Sequence, residues 1–302
     1  MSAHKTTRGC SEADRERRRA QERKLTIDAV ERLRSSDGWQ QWLGVRRRFH
    51  RYSLSNQLLI AHQRPDATCV AGFRAWLGLG YAVRKGEHSL HIWAPVPPTR
   101  KQLQAWRDAG AKPDEKPRTW FRLAVVFDRS QVDPLPPPAE AAVLDPPIQP
   151  VEGDGLAPLL KPLGELVRKL GYTLTIEPLH GAEGRCEHRT HRVRIEEDLS
   201  ANGQVLALLH ELAHVLVKTD RENDDPTLTY AAEELVVESV AYSVAGTAGI
   251  DSSANSIPYL ASWSERTPIE TIQAHAALID RLARRLEEAI APETEPAAIG
   301  PT

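Results

Sequence analysis

Residues with the means to do chemistry gather in one stretch, His210-Glu211-Leu212-Ala213-His214, with Glu234 following downstream. Residues four apart on an α-helix share a face. His210 and His214 can therefore aim ring nitrogens at one metal ion, while Glu211 projects beside them and can hold a water. Two histidines and a carboxylate, with a fourth position left to water, make a catalytic zinc arrangement rather than a closed structural one. A chance match on a buried helix is the competing reading.

The neighbouring sequence favours the metal. Val205 to Leu209 lead into the motif and Val215 to Val217 follow it, so it sits in an apolar helix, with Ser200 as a plausible N-cap. A second helix is expected from Tyr230 to about Ala248, carrying Glu234 and Glu238 one turn apart. Their face is otherwise apolar (Leu235, Val237, Val240, Ala241, Val244), and a buried unpaired carboxylate is costly. A metal and a histidine partner would supply the reason. Glu234 is expected as the third ligand and Glu238 as the group orienting a ligand histidine. The reverse assignment fits helical geometry too. Glu233 reads as a solvated neighbour.

These helices need a scaffold, and 302 residues suffice for two modest domains. The net charge of −2 hides an asymmetry: residues 1–130 hold 26 Lys and Arg against 13 Asp and Glu, the remainder 13 against 28. A basic first part near +13 points toward nucleic acid, although basic surface is often only solvated surface. Three distant cysteines, Cys10, Cys69 and Cys186, imply no disulfide framework and fit a reducing cytoplasm. There is neither an apolar signal segment nor an apolar run long enough to span a bilayer, so a soluble cytoplasmic protein without a membrane role is expected.

The expected organisation is a charged N-terminal helix or disordered arm over 1–24, and a small domain over 25–130. A proline-rich linker over 131–155, a mainly helical domain over 156–291 and a disordered tail over 292–302 follow. Residues 133–150 hold seven of the 22 prolines. Strands are expected at Leu90–Val96 and Thr119–Phe127, with residues 97–117 an insertion between them. Two further strands, 172–177 and 192–196, flank a tight segment containing His188 and His191. Those histidines could hint at a second metal, but the flanks alternate as a hairpin does. Thr267-Pro268-Ile269-Glu270 reads as a capping box with Pro at the first helical position. The fold class is α+β, an antiparallel-sheet domain with flanking helices plus a mainly helical domain with a small sheet.

Several stretches resemble ArdC-type antirestriction proteins: Tyr52 to Ile60, Ala71-Gly72-Phe73-Arg74-Ala75-Trp76, Leu79-Gly80, Val83 to Glu87, and Ile92-Trp93-Ala94-Pro95. The resemblance implies an N-terminal single-stranded-DNA-binding domain joined to a zincin-like metallopeptidase domain. His210 to His214 with Glu233 to Glu238 are also similar to metallopeptidases that cleave transcriptional repressors. The related pattern of Glu-x-x-x-acid supports Glu234 as the ligand. The proline-rich linker and the 97–118 insertion depart from the family pattern. The likeness in the second part is confined to the two metal helices, so it carries over no peptide substrate.

On this view a zinc ion polarises the scissile carbonyl and acidifies a water, and Glu211 serves as general base. Tyr242 and His191 are candidate donors to the oxyanion. For DNA, basic Arg74, Arg84 and Lys85 would follow phosphates, and Trp76, Tyr81 and Trp93 would stack on bases. Trp42 and Trp120 read as core, and Arg46-Arg47-Arg48 as a solvated helix face. The alternative is a non-catalytic protein that coats single-stranded DNA and uses the zinc domain as a scaffold.

Overall fold

Polar side chains cap the N-termini of four of the described α-helices. The computed structural model describes residues 12–110, 117, 119–136, 152–250 and 267–291. Helix α1 (Glu12–Glu31) leads through a 3-10 turn into α2 (Ser36–Arg48). The N-cap of α2 is Ser35, whose hydroxyl accepts from Gly38 N at 3.0 Å. Then come α3 (Leu54–Gln63), β1 (Val70–Ala71), α4 (Phe73–Gly78), β2 (Tyr81–Val83) and β3 (Leu90–Val96). The expected insertion contains α5 (Arg100–Asp108), opened by a capping box between Thr99 and Gln102. Strands β4 (Trp120–Asp128) and β5 (Val132–Pro134) complete the first part.

The second part runs α6 (Leu160–Lys169), β6 (Thr173–Ile176), β7 (Gly184–Glu187), β8 (Arg192–Ile195), α7 (Ala201–Thr219), α8 (Tyr230–Thr247) and α9 (Ile269–Ile290). Ser200 caps α7 by accepting from Gly203 N at 3.2 Å, and Thr229 caps α8 by accepting from Ala232 N at 3.3 Å. The capping box expected at Thr267 does not form. Pro268 itself is the N-cap of α9, without a side-chain cap bond. The N-terminal arm through residue 11, most of the proline-rich stretch (137–151) and the tail from 292 lie outside the described residues.

The fold is α+β. One sheet has the order β1-β4-β3, antiparallel throughout, and β2 pairs with β5. The third sheet has the order β6-β8-β7, with β6 parallel to β8 and β7 antiparallel to it. The β7–β8 hairpin encloses His188 and His191, and His191 takes a positive φ in its turn.

The edge of β3 is closed by side chains. Asn56 on α3 accepts from Trp93 N at 2.7 Å and donates to Trp93 O at 2.8 Å. Two turns on, Gln63 does the same for His91, at 2.9 and 2.8 Å. An open strand edge would otherwise present unpaired main-chain groups. Asn56, in the stretch that resembles ArdC, thus serves the sheet, as does Gln63.

A tight turn is secured by Asp128, whose carboxylate accepts from Thr68 N (2.8 Å), Cys69 N (3.2 Å), Ser130 N (2.8 Å) and Ser130 Oγ (2.5 Å). Burial alone would raise its pKa. The bonds from Ser130, Thr68 and Cys69 outweigh burial and hold the carboxyl below its ordinary 3.8. A depressed carboxyl stabilises the fold above the unfolded pKa, and that stabilisation is lost as pH falls through the folded one. Asp128→Asn is therefore expected to cost about 1–3 kcal/mol near neutral pH. Urea titrations should show the gap to wild type narrowing below pH 3.8; a gap constant with pH would refute the ionic role.

The main core is continuous across both parts. Trp39, Trp42 and Leu43 of α2 share one buried cluster with Leu208 of α7, Val240 of α8 and Ile279 of α9. The three-arginine run expected on a solvated face is split by this packing. Arg46 is fully buried, Arg47 half-buried and Arg48 exposed. Arg46 donates Nε to Asp280 Oδ1 (3.2 Å), Nη2 to Glu287 Oε2 (2.9 Å) and Nη1 to Glu287 Oε1. Gln57 adds a bond to Asp280 Oδ1 at 2.9 Å, and Trp42 Nε1 donates to Gln57 Oε1 at 3.3 Å.

Candidate metal centre and nucleic-acid face

Helices α7 and α8 pack side by side because each carries a broad apolar face, including Leu209, Leu212 and Leu216 on one and Val236, Val237 and Val240 on the other. Their polar residues meet at one place. His210, His214 and Glu234 each offer a ligand atom there, and these atoms lie within 4.8 Å of one another. The imidazole rings are 5.1 Å apart by centroid, and His214 Nε2 is 3.7 Å from Glu234 Oε1.

Carboxylates stand at the other ring nitrogens. Glu238 Oε1 lies 3.5 Å from His210 Nδ1, and Glu233 Oε1 lies 3.1 Å from His214 Nδ1. Such pairs fix the tautomer and leave the opposite nitrogen for a ligand bond. Burial, aided by His214, lowers the His210 pKa and favours the neutral ring that a metal requires. Burial raises the Glu238 carboxyl, with Glu234 adding to it. The donor set fits a divalent cation.

Glu211 lies one residue from His210 and is buried. Burial pushes its carboxyl up to about 7, with His214 opposing the rise and Glu234 adding to it. Its position is bounded by β7. A Cβ on Gly184 would come within 2.7 Å of Glu211 Oε1 and 2.8 Å of its Cγ. Only glycine leaves that room. Among the described residues β7 is also an edge strand, pairing with β8 on one side.

Glu233 takes a part that sequence reasoning missed. It partners His214 rather than solvent, because α8 crosses α7 so that adjacent residues flank the same imidazole. Its only signal in the sequence was adjacency to Glu234. Glu233→Gln is expected to weaken metal affinity about 10- to 100-fold. Competition with a chromogenic chelator would measure this, and an unchanged affinity would refute it.

The suggested oxyanion donors are engaged by other residues. Tyr242 accepts from Arg47 Nη1 at 2.9 Å, and Arg47 lies 4.9 Å over its ring. His191 stacks on Tyr172 at 4.8 Å. His188 is the hairpin residue nearer the centre. It bonds to Tyr172 OH at 3.0 Å, and its pKa is lowered by burial and then by His214.

The residues named for DNA divide sharply. Trp76 is fully buried and donates Nε1 to Phe127 O at 2.8 Å. Tyr81 is buried edge-on against it at 5.6 Å, with Arg129 over its other side at 4.4 Å. Neither offers a face to a base: their packing is core packing. Arg84 is engaged by Glu87 at 2.8 Å and Asp133 at 3.1 Å, and braces the turn after β2. Arg74 and Lys85 are exposed and Trp93 is half-buried. Trp120, expected in the core, is exposed.

An α+β chain that gathers two histidines and a glutamate within 4.8 Å on adjoining helices is of a class able to hold a divalent metal ion. Residues 23–127 match the family model for the N-terminal domain of anti-restriction factor ArdC. An uncharacterized protein of Bacillus anthracis is 24% identical over 273 residues, covering 80% of this chain. The chain spans about half (46%) of that relative's length. Two crystal structures of antirestriction ArdC protein from the R388 plasmid are similar. The metal-free form has 19% identity and a TM-score of 0.46, covering 78% of this chain and 84% of that one. The Mn(II)-bound form has 18% identity and a TM-score of 0.46, covering 80% and 85%. Among the described residues no helix is long and apolar enough to cross a membrane.

Proposed function

We infer that this chain joins a single-stranded-DNA-binding part to a zinc-dependent peptidase site, serving antirestriction or a related role of mobile elements such as repressor removal. One observation carries the catalytic half: the buried carboxylate of Glu211 sits beside His210, His214 and Glu234 and against an edge strand. His210, His214 and Glu234 would hold the ion, and two imidazoles with one carboxylate suit zinc. When bound, zinc would supply Lewis acidity toward a carbonyl and toward water. Glu211 accepts a proton from the attacking water and delivers it to the leaving amine. Glu238 and Glu233 keep the two imidazoles oriented. The unpaired edge of β7 can hold an extended peptide by main-chain hydrogen bonds as it passes Glu211.

The DNA half is supported by the ArdC N-terminal domain match and the basic surplus of residues 1–130. The alternative, a DNA-coating protein with the metal domain as scaffold, has one observation in its favour. Arg46 is anchored by Asp280 and Glu287 of α9, so the second part braces the first.

The test is cleavage of a diverse peptide mixture read by mass spectrometry, with zinc, with manganese, and after chelation. Cleavage by the zinc form, lost on chelation and in His210→Ala, is expected. No cleavage by a chain shown to bind one zinc per molecule would favour the scaffold.

A further inference from the structure

The outer face of the β3–β4 pair is covered at one end only. Phe127 packs beneath Trp76 in the small second core. Toward the start of β4 that cover ends, leaving Phe121 61% and Val125 50% exposed. Alternation puts these two on the face opposite Val126, which is buried in the main core. Trp93 of β3 stands opposite Leu123, between them in the register. Helix α4 lies beside this strand: Gly72 approaches Val125 O, and Trp76 Nε1 bonds to Phe127 O. Phe73 and Leu77, one turn apart on α4, are 52% and 41% exposed.

Large apolar side chains exposed on α4 and on the adjoining strand, two of them aromatic, mark an interaction site. We propose that Phe73 of α4 and Phe121 of β4, with Trp93 on the same face of the strand pair as Phe121, form the platform on which bases of single-stranded DNA stack. Charge selects nucleic acid over an apolar protein partner. Exposed Arg74 follows Phe73, and residues 1–130 carry twice as many basic as acidic groups, 26 against 13. Stacking selects single strands, because a duplex hides its base faces and every unpaired base has one to offer. This rests on the DNA-binding reading above and assigns its contacts to exposed rings in place of buried Trp76 and Tyr81.

The experiment is fluorescence anisotropy of the full chain with a labelled oligodeoxythymidylate across a salt series. Phe73→Ala and Phe121→Ala are each expected to weaken binding about tenfold. Their salt dependence should match wild type, since neither ring neutralises a phosphate. Arg74→Ala should instead flatten the salt slope by about 0.7. Phe121→Trp should keep binding, which separates stacking from misfolding. If wild type binds but the double phenylalanine variant binds equally well, the platform is wrong while the DNA reading stands. If wild type does not bind even at low salt, both fail.

Discussion

Glu211→Gln is expected to lower peptide hydrolysis about 10²- to 10⁴-fold while leaving metal affinity within a few-fold of wild type. Glutamine keeps the shape and the burial but cannot take a proton from water. The groups proposed to hold the metal are His210, His214 and Glu234, none of which changes. Gly184→Ala tests the same role from the opposite strand. The added methyl meets Oε1 and Cγ of Glu211, so the carboxylate must move or the strand must shift. A displacement of about 1 Å can cost about a hundredfold in rate. Gly184→Ala should therefore fall well below wild type in rate with its metal retained and its thermal stability little changed. Metal content, melting temperature and cleavage rate measured on the three proteins decide the matter. Wild-type cleavage by Glu211→Gln would remove Glu211 from the chemistry. Loss of metal from either variant would show that the residue supports the ion instead.

The second large effect concerns stability. Arg46→Ala is expected to cost about 3–5 kcal/mol, because it strips the partner from two nearly buried carboxylates. Asp280 would keep Gln57 and Arg284 as donors, at 2.9 and 3.0 Å. Glu287 would keep Thr247 Oγ1 at 2.9 Å. The unpaired charge thus falls mainly on Glu287, and adding Glu287→Gln to Arg46→Ala should recover part of the loss. Since Arg46 lies on α2 and its acceptors on α9, the loss should appear in one unfolding transition that reports both parts. Urea denaturation followed by tryptophan fluorescence and by far-ultraviolet dichroism would show this. A cost below about 1 kcal/mol would mean the pair contributes no more than an exposed one.

Local sequence determined the features that repeat within one helix or one turn. The His210–His214 spacing, the Ser200 cap, the run from Tyr230 and the hairpin around His188 all depend on neighbours a few residues away. Helical and extended periodicities encode such neighbours directly. The α+β class followed from the same patterns. Tertiary packing decided which face of each element is covered. Trp76 and Trp120 are the same residue type in aromatic, basic surroundings, yet the first is enclosed by β2, β5 and Phe127 while the second is exposed. Arg46, Arg47 and Arg48 are indistinguishable as a run, but α8 and α9 bury only the first completely. Glu233 meets His214, and Gly184 makes room for Glu211, through contacts between elements far apart in the chain. No periodicity carries that information, because burial and pairing between distant segments are set by how whole faces dock.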